Sequence, residues 1–504
     1  MSATELELKF HIPPERLAGV RASMTPQATA TASGPPRMRL QAHYFDTSDG
    51  ALAAARLSLR LRKEGRRWVQ TLKAPGDSAV RRLEHEVELT APGARGVPAL
   101  DTARHRGSAA GRALDRVRKR GGGRLALVAR YGTDVWRRRL SVDAAGGQVE
   151  IAFDEGRIVA GERDAPLYEI EFELKSGLPA ALFEVARGWR AAHGLCLATV
   201  SKAERGEHLA NGSPDIPPLK AGTPRVDAGM DREALLRAIV ASCLEQTLGN
   251  AGEIACGRFG PDHVHQLRIG IRRLRTVLRE LEACSAAVDP QWQAPLVRAF
   301  RALGEYRDRD TAAGAVQPRL RAAGAPLVDF PPAAADEIPD PVRTVRADDF
   351  QATLLALLEF TLTAAPDGAT AGGEDVRDLV ARRLRKLHRR VVDDGKRFEG
   401  LDEASQHRVR KRLKRLRYLA ECVAPLFGAR DVERYLKHLR PAQEALGAHN
   451  DAHVALGLYR RAAERDPRAW FAVGWLQARQ QGESAAECRR TLERVATARR
   501  FWKA

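Results

Sequence analysis

Up to about residue 210 the chain alternates apolar and polar positions. The runs Glu5-Leu6-Glu7-Leu8-Lys9, Leu57-Ser58-Leu59-Arg60-Leu61-Arg62, Trp68–Lys73, Leu83–Leu89, Val149–Asp154 and Glu169–Leu174 all keep this rhythm. A two-residue period sends successive side chains to opposite faces, so each run predicts a β-strand with one aliphatic and one charged face. Asp49-Gly50, Pro75-Gly76-Asp77 and Gly146-Gly147 supply turns between several of them. Residues 211–230 are rich in Pro and Gly and predict a linker. From Asp231 onward the period lengthens to that of a helix and strand patterns cease. The stretches Gly324–Val342 and Pro366–Gly373 interrupt the helical region on either side of a short apolar segment around Leu354–Leu358. That segment is far shorter than a membrane span.

The helical region repeats. His265, Arg268, Arg272 and Arg275 recur as His407, Arg410, Lys414 and Arg417 at identical spacing, and Leu303-Gly304-Glu305-Tyr306-Arg307-Asp308 recurs as Leu446-Gly447-Ala448-His449-Asn450-Asp451. At about 100° per residue the four cationic positions of each helix fall within an arc of roughly 80°. Leu267, Ile271, Leu274, Leu278 and Leu281 form a separate apolar stripe, and Val409, Leu413, Leu416, Ala420 and Val423 do the same in the second helix. The expected organisation is a β-rich domain over 1–210, a linker over 211–230 and an all-helical domain over 231–504, with repeats at about 231–323 and 374–504.

Charge sharpens this picture. The chain carries 83 Lys and Arg against 64 Asp and Glu, a formal net charge of +19. Such an excess predicts a polyanionic partner: nucleic acid, an acidic membrane surface or a polyphosphate. Surface helices normally interleave acids at i±4, yet residues 407–417 hold seven Lys or Arg and no acid. A bound polyanion would relieve that repulsion. The six cysteines are scattered with no CxxC pair, which argues against a disulfide framework or a zinc site and favours a reducing compartment. No signal peptide is visible at the N-terminus.

In the β-rich part the charged faces differ from strand to strand. Glu5, Glu7 and Lys9 share a face, as do Glu84, Glu86 and Glu88, Glu169, Glu171 and Glu173, and Arg60 with Arg62. A closed barrel with a charged lumen accounts for acidic and basic strands together. Its carboxylates suit hard divalent cations and its Arg and Lys suit phosphate oxygens. The motif Glu5-x-Glu7-x-Lys9 resembles the ExExK signature of the CYTH, or triphosphate tunnel metalloenzyme, superfamily. The resemblance continues through Tyr44-Phe45-Asp46-Thr47, Leu59-Arg60-Leu61-Arg62, Leu72-Lys73, Arg82-x-Glu84-x-Glu86, Thr133–Arg137, Asp154, Glu169–Gly177 and Ser201-Lys202, over roughly residues 1–205. It implies an antiparallel eight-stranded β tunnel that binds triphosphate with Mg²⁺ or Mn²⁺. By the same resemblance Glu5, Glu7, Asp154, Glu171 and Glu173 are expected metal ligands, the choice among the 169/171/173 run staying open. Lys9, Arg39, Arg60, Arg62, Lys73, Arg82, Arg137 and Lys202 are expected to bind substrate. Tyr44, Phe45 and Trp68 are expected in the core, and no base-stacking cluster is evident, which favours an inorganic triphosphate.

The helical part resembles the CHAD, or conserved histidine α-helical, domain, on its two His-x-x-Arg-x-x-x-Arg/Lys-x-x-Arg helices and Leu303-Gly304-x-x-Arg307-Asp308-x-Asp310. The resemblance implies an all-α bundle with an internal two-fold repeat that binds polyphosphate. His265, Arg268, Arg272, Arg275, Arg307, His407, Arg410, Lys414 and Arg417 are the expected contacts. Lys414 departs from the pattern where the first repeat has Arg272, and Asn450 stands opposite Arg307. The chain as a whole is thus expected to be an α+β multidomain triphosphatase acting on inorganic triphosphate and binding polyphosphate, with no specific nucleic acid, no membrane, and a cytoplasmic location associated with polyphosphate granules. A polyphosphate- or nucleic-acid-binding scaffold and a phosphatase of an organic triphosphate are the alternatives. Oligomeric state is not legible.

Overall fold

The computed structural model describes residues 2–24, 37–76, 78, 80–90, 96–213, 215–326, 328, 339–363 and 375–503; side chains at 2–4, 307–315 and 481 lie outside the description. The chain forms two compact units. One comprises Met1–Leu219, Glu245–Leu267 and Val345–Thr363, the other Lys220–Leu244, Arg268–Thr344 and Ala364–Ala504.

The strands of the first unit are β1 (Ser2–His11), β2 (Met38–Thr47), β3 (Ser58–Glu64), β4 (Arg67–Pro75), β5 (Arg81–Leu89), β6 (Leu127–Ala144), β7 (Gly147–Ala160), β8 (Arg163–Gly177) and β9 (Cys196–Leu197). They pair in the order β5-β4-β3-β2-β6-β7-β8-β1, and β1 pairs again with β5, closing an eight-stranded antiparallel barrel to whose β1 the short β9 adds. β1 makes the closure by splitting its pairing. Ser2–Leu6 run along β5, and Glu7–His11 run along β8. The ExExK segment therefore crosses the seam.

This barrel is inverted relative to an ordinary one. Leu6, Leu8 and Phe10 on β1, Leu59 and Leu61 on β3, and Ile151 and Phe153 on β7 point outward and are buried. The helices of the chain are α1 (Leu17–Ser23), α2 (Ala51–Ala54), α3 (Ala109–Arg120), α4 (Pro179–His193), α5 (Lys202–Ala210), α6 (Arg232–Ala255), α7 (Pro261–Glu280), α8 (Gln293–Ala322), α9 (Pro341–Arg346), α10 (Asp348–Leu362), α11 (Val376–Gly395), α12 (Glu403–Val423), α13 (Ala429–Ala463), α14 (Ala469–Arg479) and α15 (Ala485–Thr497). In the first unit α4 lays Ala181, Leu182, Phe183 and Ala186 over β6, β7 and β8. α3 joins Leu59, Leu72 and Ala74 in a second apolar cluster. Burying these outer faces leaves the inner faces free to be charged.

The inward parity turns apolar at one end. Leu40, Val135, Ile158, Ala160 and Leu167 continue the lumen-facing positions of β2, β6, β7 and β8 and cluster with Leu209 of α5. This plug closes the tunnel there. α5 begins where the Ser201 hydroxyl accepts the Glu204 amide hydrogen, a serine N-cap that places Lys202 in the first turn. Gly206 brings α5 close to the barrel: a Cβ there would stand 2.1 Å from the Tyr131 ring. The apolar segment read from the sequence between two interruptions is α10. It buries Leu354, Leu355, Leu357 and Leu358 and packs on α4 in the first unit, where Gln351 Oε1 accepts the Leu197 amide at 2.9 Å.

The repeated motifs occupy repeated elements. The basic helices α7 and α12 each lead, through short 3₁₀ turns, into long α8 and α13, which carry Leu303-Gly304 and Leu446-Gly447. Leu274 and Leu278 of α7, and Val409, Leu413, Leu416, Ala420 and Val423 of α12, are fully or nearly fully buried, matching the expected stripes. Among the described residues no helix is long and apolar enough to cross a membrane.

Candidate functional site

Strand register stacks the charged residues of the lumen into rows. Glu7 of β1 stands opposite Glu173 of β8, which stands opposite Glu150 of β7. One step along, Lys9, Glu171 and Ala152 align, and the next row joins Glu169, Asp154 and Arg137. On the far wall Tyr44, Arg60, Thr71 and Glu86 share one row, and Ser58, Lys73 and Glu84 another. The rows enclose a cavity of about 240 Å³ whose lining includes ten Lys or Arg and eight Glu. That near-balance decides how the site is held together: almost every cation meets a carboxylate.

Lys73 Nζ lies 2.6 Å from Glu5 and 3.4 Å from Glu84, and Lys9 Nζ lies 3.3–3.5 Å from Glu7, Glu169 and Glu171. Arg137 grips both oxygens of Asp154 at 2.6 Å and reaches Glu171 at 2.9 Å. Lys202 meets Glu171 at 2.7 Å, Asp154 at 3.0 Å, and Glu169 closely. Arg62 pairs with Glu64 and Glu86, while Arg60 donates to the Tyr44 hydroxyl at 3.3 Å.

Burial opposes the Lys202 ammonium, but Glu169, Glu171 and Asp154 outweigh it and hold its pKa well above the ordinary lysine value. Burial likewise opposes Glu171 and Asp154 as anions. Lys202, Lys9 and Arg137 reverse this for Glu171, and Arg137 with Lys202 does so for Asp154, which falls to about 2. Glu173 behaves differently. Burial raises it, Lys175 pulls it down, and the charges of Glu5 and Glu150 push it up again, so its carboxyl ends above the usual range.

That raised carboxyl bears on the fit of a divalent metal. Glu5, Glu7, Glu150 and Glu173 offer hard oxygen donors in adjacent rows, and their mutual repulsion is what a cation would relieve. Among the described residues no three side chains of ligand type converge tightly enough to hold an ion in their present rotamers; Lys73 and Lys175 occupy the carboxylates instead. The donor set fits the group in its chemistry, hard carboxylate oxygens in adjacent rows.

Of the residues expected from sequence, Glu5, Glu7, Lys9, Arg60, Arg62, Lys73, Arg82, Arg137, Glu171, Glu173 and Lys202 all line this one cavity. Asp154 sits behind Arg137 and is 1% exposed. Arg39 is not brought in. It lies five residues from lumen-facing Tyr44, hence on the opposite face, and forms an exposed bidentate pair with Asp134 at 2.8 and 2.6 Å. Tyr44, expected as core, is buried but stands in the lumen wall, stacked on Tyr131 at 4.8 Å. Arg139, Glu150 and Lys175 were missed. Parity on β6, β7 and β8 was the available signal.

In the second unit the two basic rows share one electrostatic field. Burial, then the guanidiniums of Arg272 and Arg410, push Lys414 down to about 6 against the pull of Asp451, with Arg268 adding to the push. Lys411 is lowered by burial and then by Arg301, Arg275, Arg272 and Arg410. His407 gives its Nδ1 hydrogen to Asn450 Oδ1 at 2.9 Å, so the Asn450 departure orients the histidine. Burial and then Lys411 lower its pKa. Arg417 is tied to Glu421 at 2.6 Å and to Gln443. His265 lies half-buried on α7. The Arg307 side chain, with those of Asp308 and Asp310, lies outside the described residues.

Against known proteins, the CYTH domain family matches residues 3–206 and the CHAD domain family residues 238–460. An inorganic triphosphatase of Haemophilus influenzae is 31% identical over 209 residues, which are 41% of this chain and 55% of that protein. The match thus spans about half the length of that relative. Among solved structures, the CHAD domain from Ricinus communis is 27% identical, covering 56% of this chain and 98% of its own at a TM-score of 0.43. A putative adenylyl cyclase from Hippeastrum, described as having a dominant triphosphatase activity, is 19% identical, covering 42% and 98% at a TM-score of 0.28.

Proposed function

We propose, from the premise that this chain is a CYTH domain followed by a CHAD domain, that the barrel hydrolyses inorganic triphosphate with a divalent metal and that the basic helices of the second unit bind longer polyphosphate. The observation carrying the first part is the nearly balanced lumen. A polyanion entering alone would set its oxygens against eight carboxylates. Entering with a divalent cation, it gives those carboxylates a partner while its oxygens take over the lysines and arginines. The inorganic triphosphatase relative supports the same reading. So does the lining, which is almost wholly charged and offers one aromatic ring, Tyr44, to an organic head group.

Glu5, Glu7, Glu171 and Glu173, joined by Glu150, would hold the metal, Mg²⁺ or Mn²⁺. When bound it would supply charge neutralisation and orientation of a water. Lys9, Arg60, Arg62, Lys73 and Arg82 bind the phosphate oxygens, and Arg137 and Lys202 stabilise the charge that develops during transfer. Asp154 and Glu169 orient those two cations. The oxygen of water bonds to the terminal phosphorus as the bond from that phosphorus to the bridging oxygen breaks, giving phosphate and pyrophosphate.

Phosphate release from tripolyphosphate, ATP and thiamine triphosphate, each with Mg²⁺ and with Mn²⁺, tests this. Tripolyphosphate should turn over fastest. Faster turnover of either organic substrate would shift the substrate class, and no turnover of any would leave a scaffold. For the second part, polyphosphate should displace duplex DNA from the basic rows and not the reverse, since few aromatics lie among them to stack on bases.

A further inference from the structure

The first unit is not made of the barrel sequence alone. Residues Glu245–Leu267, which include the end of α6 and lie inside the stretch matched by the CHAD family, belong to it. Gly252 lets α6 come close to β9: a Cβ there would stand 3.3 Å from the Leu197 carbonyl oxygen. The Ala255 carbonyl accepts from Arg346 at 2.9 and 2.7 Å, which ties down the last turn of the helix. Between these two anchors stands Glu253, 1% exposed. Its carboxylate meets Arg205 at 2.9 Å and Arg258 at 3.5 Å.

Arg205 connects this pair to the lumen. It follows Lys202 by three residues on α5, so both side chains leave the same flank of the helix. Burial opposes its charge, Glu253 does most to restore it, and Glu169 also acts on it. Glu169 is a carboxylate that holds Lys202 and Lys9. His11 adds no charge to the balance. It stands opposite Glu169 in register, and burial, then Arg346, Arg258 and Arg205, lower its pKa to about 3. A guanidinium and an ammonium on one helix thus share the field of Glu169, and Glu253 takes the guanidinium.

We propose that Glu253 is a positioning residue for the triphosphatase site: by engaging Arg205 it keeps that arginine off Glu169 and leaves Glu169 to orient Lys202. This rests on the triphosphatase reading of the barrel. A buried guanidinium deprived of its carboxylate keeps its desolvation cost and turns to the next carboxylate in its field. Glu169 then divides between Arg205 and Lys202, and the ammonium loses the geometry it holds toward the lumen. Lys202 acts on charge that develops during transfer, so the loss falls on turnover rather than on substrate binding. A residue of the CHAD-matched stretch thereby serves the chemistry of the barrel.

The experiment uses the full chain with tripolyphosphate and Mg²⁺, and measures kcat and KM separately. Each variant is also melted, and all are assayed below the lowest melting temperature. Glu253→Gln keeps the size of the side chain and removes its charge. It should lower kcat about tenfold, the lower end of what loss of one charge-assisted contact gives, with KM within about twofold of the wild type. Glu253→Asp shortens the reach but keeps the charge and should lose less; it carries the test if the glutamine variant does not fold. Adding Arg205→Gln to Glu253→Gln removes the competing guanidinium and should regain most of the lost kcat. A residue that only braces the fold would raise KM as kcat falls, and removing Arg205 would restore neither. Wild-type kcat in Glu253→Gln, or in Glu253→Asp where only that variant folds, overturns the proposal, as does a double variant as slow as Glu253→Gln. A wild type that releases no phosphate from tripolyphosphate overturns the reading beneath it.

Discussion

The barrel lumen and the helical rows are both rich in Arg and Lys, yet they hold their cations in opposite ways. In the barrel, Lys9, Lys73, Arg137 and Lys202 each meet two or more carboxylates, and burial is offset by pairing. In the second unit, Arg272, Arg275 and Lys414 lie in one another's field, and Lys414 yields by losing its affinity for a proton. A compensated site stays ordered without ligand and asks a polyanion to arrive with its own cation. Cations that lower one another's pKa attract any polyanion, and among the described residues their rows meet fewer carboxylates than the lumen does, Glu421 on Arg417 and Glu280 on Arg415 being two of them. The first arrangement suits chemistry on a short, metal-complexed anion, the second suits retention of a long one.

The largest effect expected from this contrast is Glu7→Gln. It removes a carboxylate that faces Glu173 across the seam and pairs with Lys9. Triphosphatase activity should fall by about a hundredfold or more, the scale seen when one group stabilising transition-state charge is lost, while polyphosphate affinity stays unchanged. Activity within about threefold of the wild type would place the metal elsewhere. The mirror-image variant replaces Arg268, Arg272, Arg410 and Lys414 together with Ala. It should lose polyphosphate binding by about two orders of magnitude or more, at about 1.5–3 kcal/mol per charge-assisted contact before non-additivity, and should leave triphosphate turnover intact. Equal loss of both functions would merge the two sites. Removing a single barrel cation is milder. Arg60→Ala or Arg62→Ala should lower kcat/KM about ten- to a hundredfold while circular dichroism shows a native fold.

Most of the barrel was legible because alternation reports which residues share a face. It does not report whether that face is filled. The plug of Leu40, Val135, Ile158 and Leu167 lies on the same parity as Asp154 and Arg137, and only register separates plug from site. Arg39 was misplaced for the same reason: an arginine near a strand of the right family reads alike on either face until its parity to Tyr44 is counted. In the helices the duplicated His, Arg and Lys spacing gave the rows directly. Glu253 was not legible, because a glutamate late in a helix of the CHAD-like region reads as solvated until Arg205 of α5 is found against it.

A smaller effect is pH dependence. With its pKa at about 6 in the protein, Lys414 is largely neutral above that pH. A bound polyanion favours the ammonium, so binding takes up a proton and affinity should rise as pH falls from about 8 toward 6, then level off once Lys414 is already charged. Lys414→Arg removes the titrating group and should flatten most of that slope. His407, also lowered, titrates in the same sense and accounts for any remainder. A wild type with no slope across this window, or a Lys414→Arg slope equal to the wild type's, would remove Lys414 from the binding surface.

The most direct test reads both functions in one sample of the full chain, with Mg²⁺ and then with excess EDTA. On this account the carboxylate-rich lumen needs its metal and the basic rows do not. EDTA should abolish phosphate release from tripolyphosphate and leave long-chain polyphosphate bound with unchanged affinity. Phosphate release that survives EDTA, or polyphosphate that dissociates with the metal, would contradict the division of labour between the two charge arrangements.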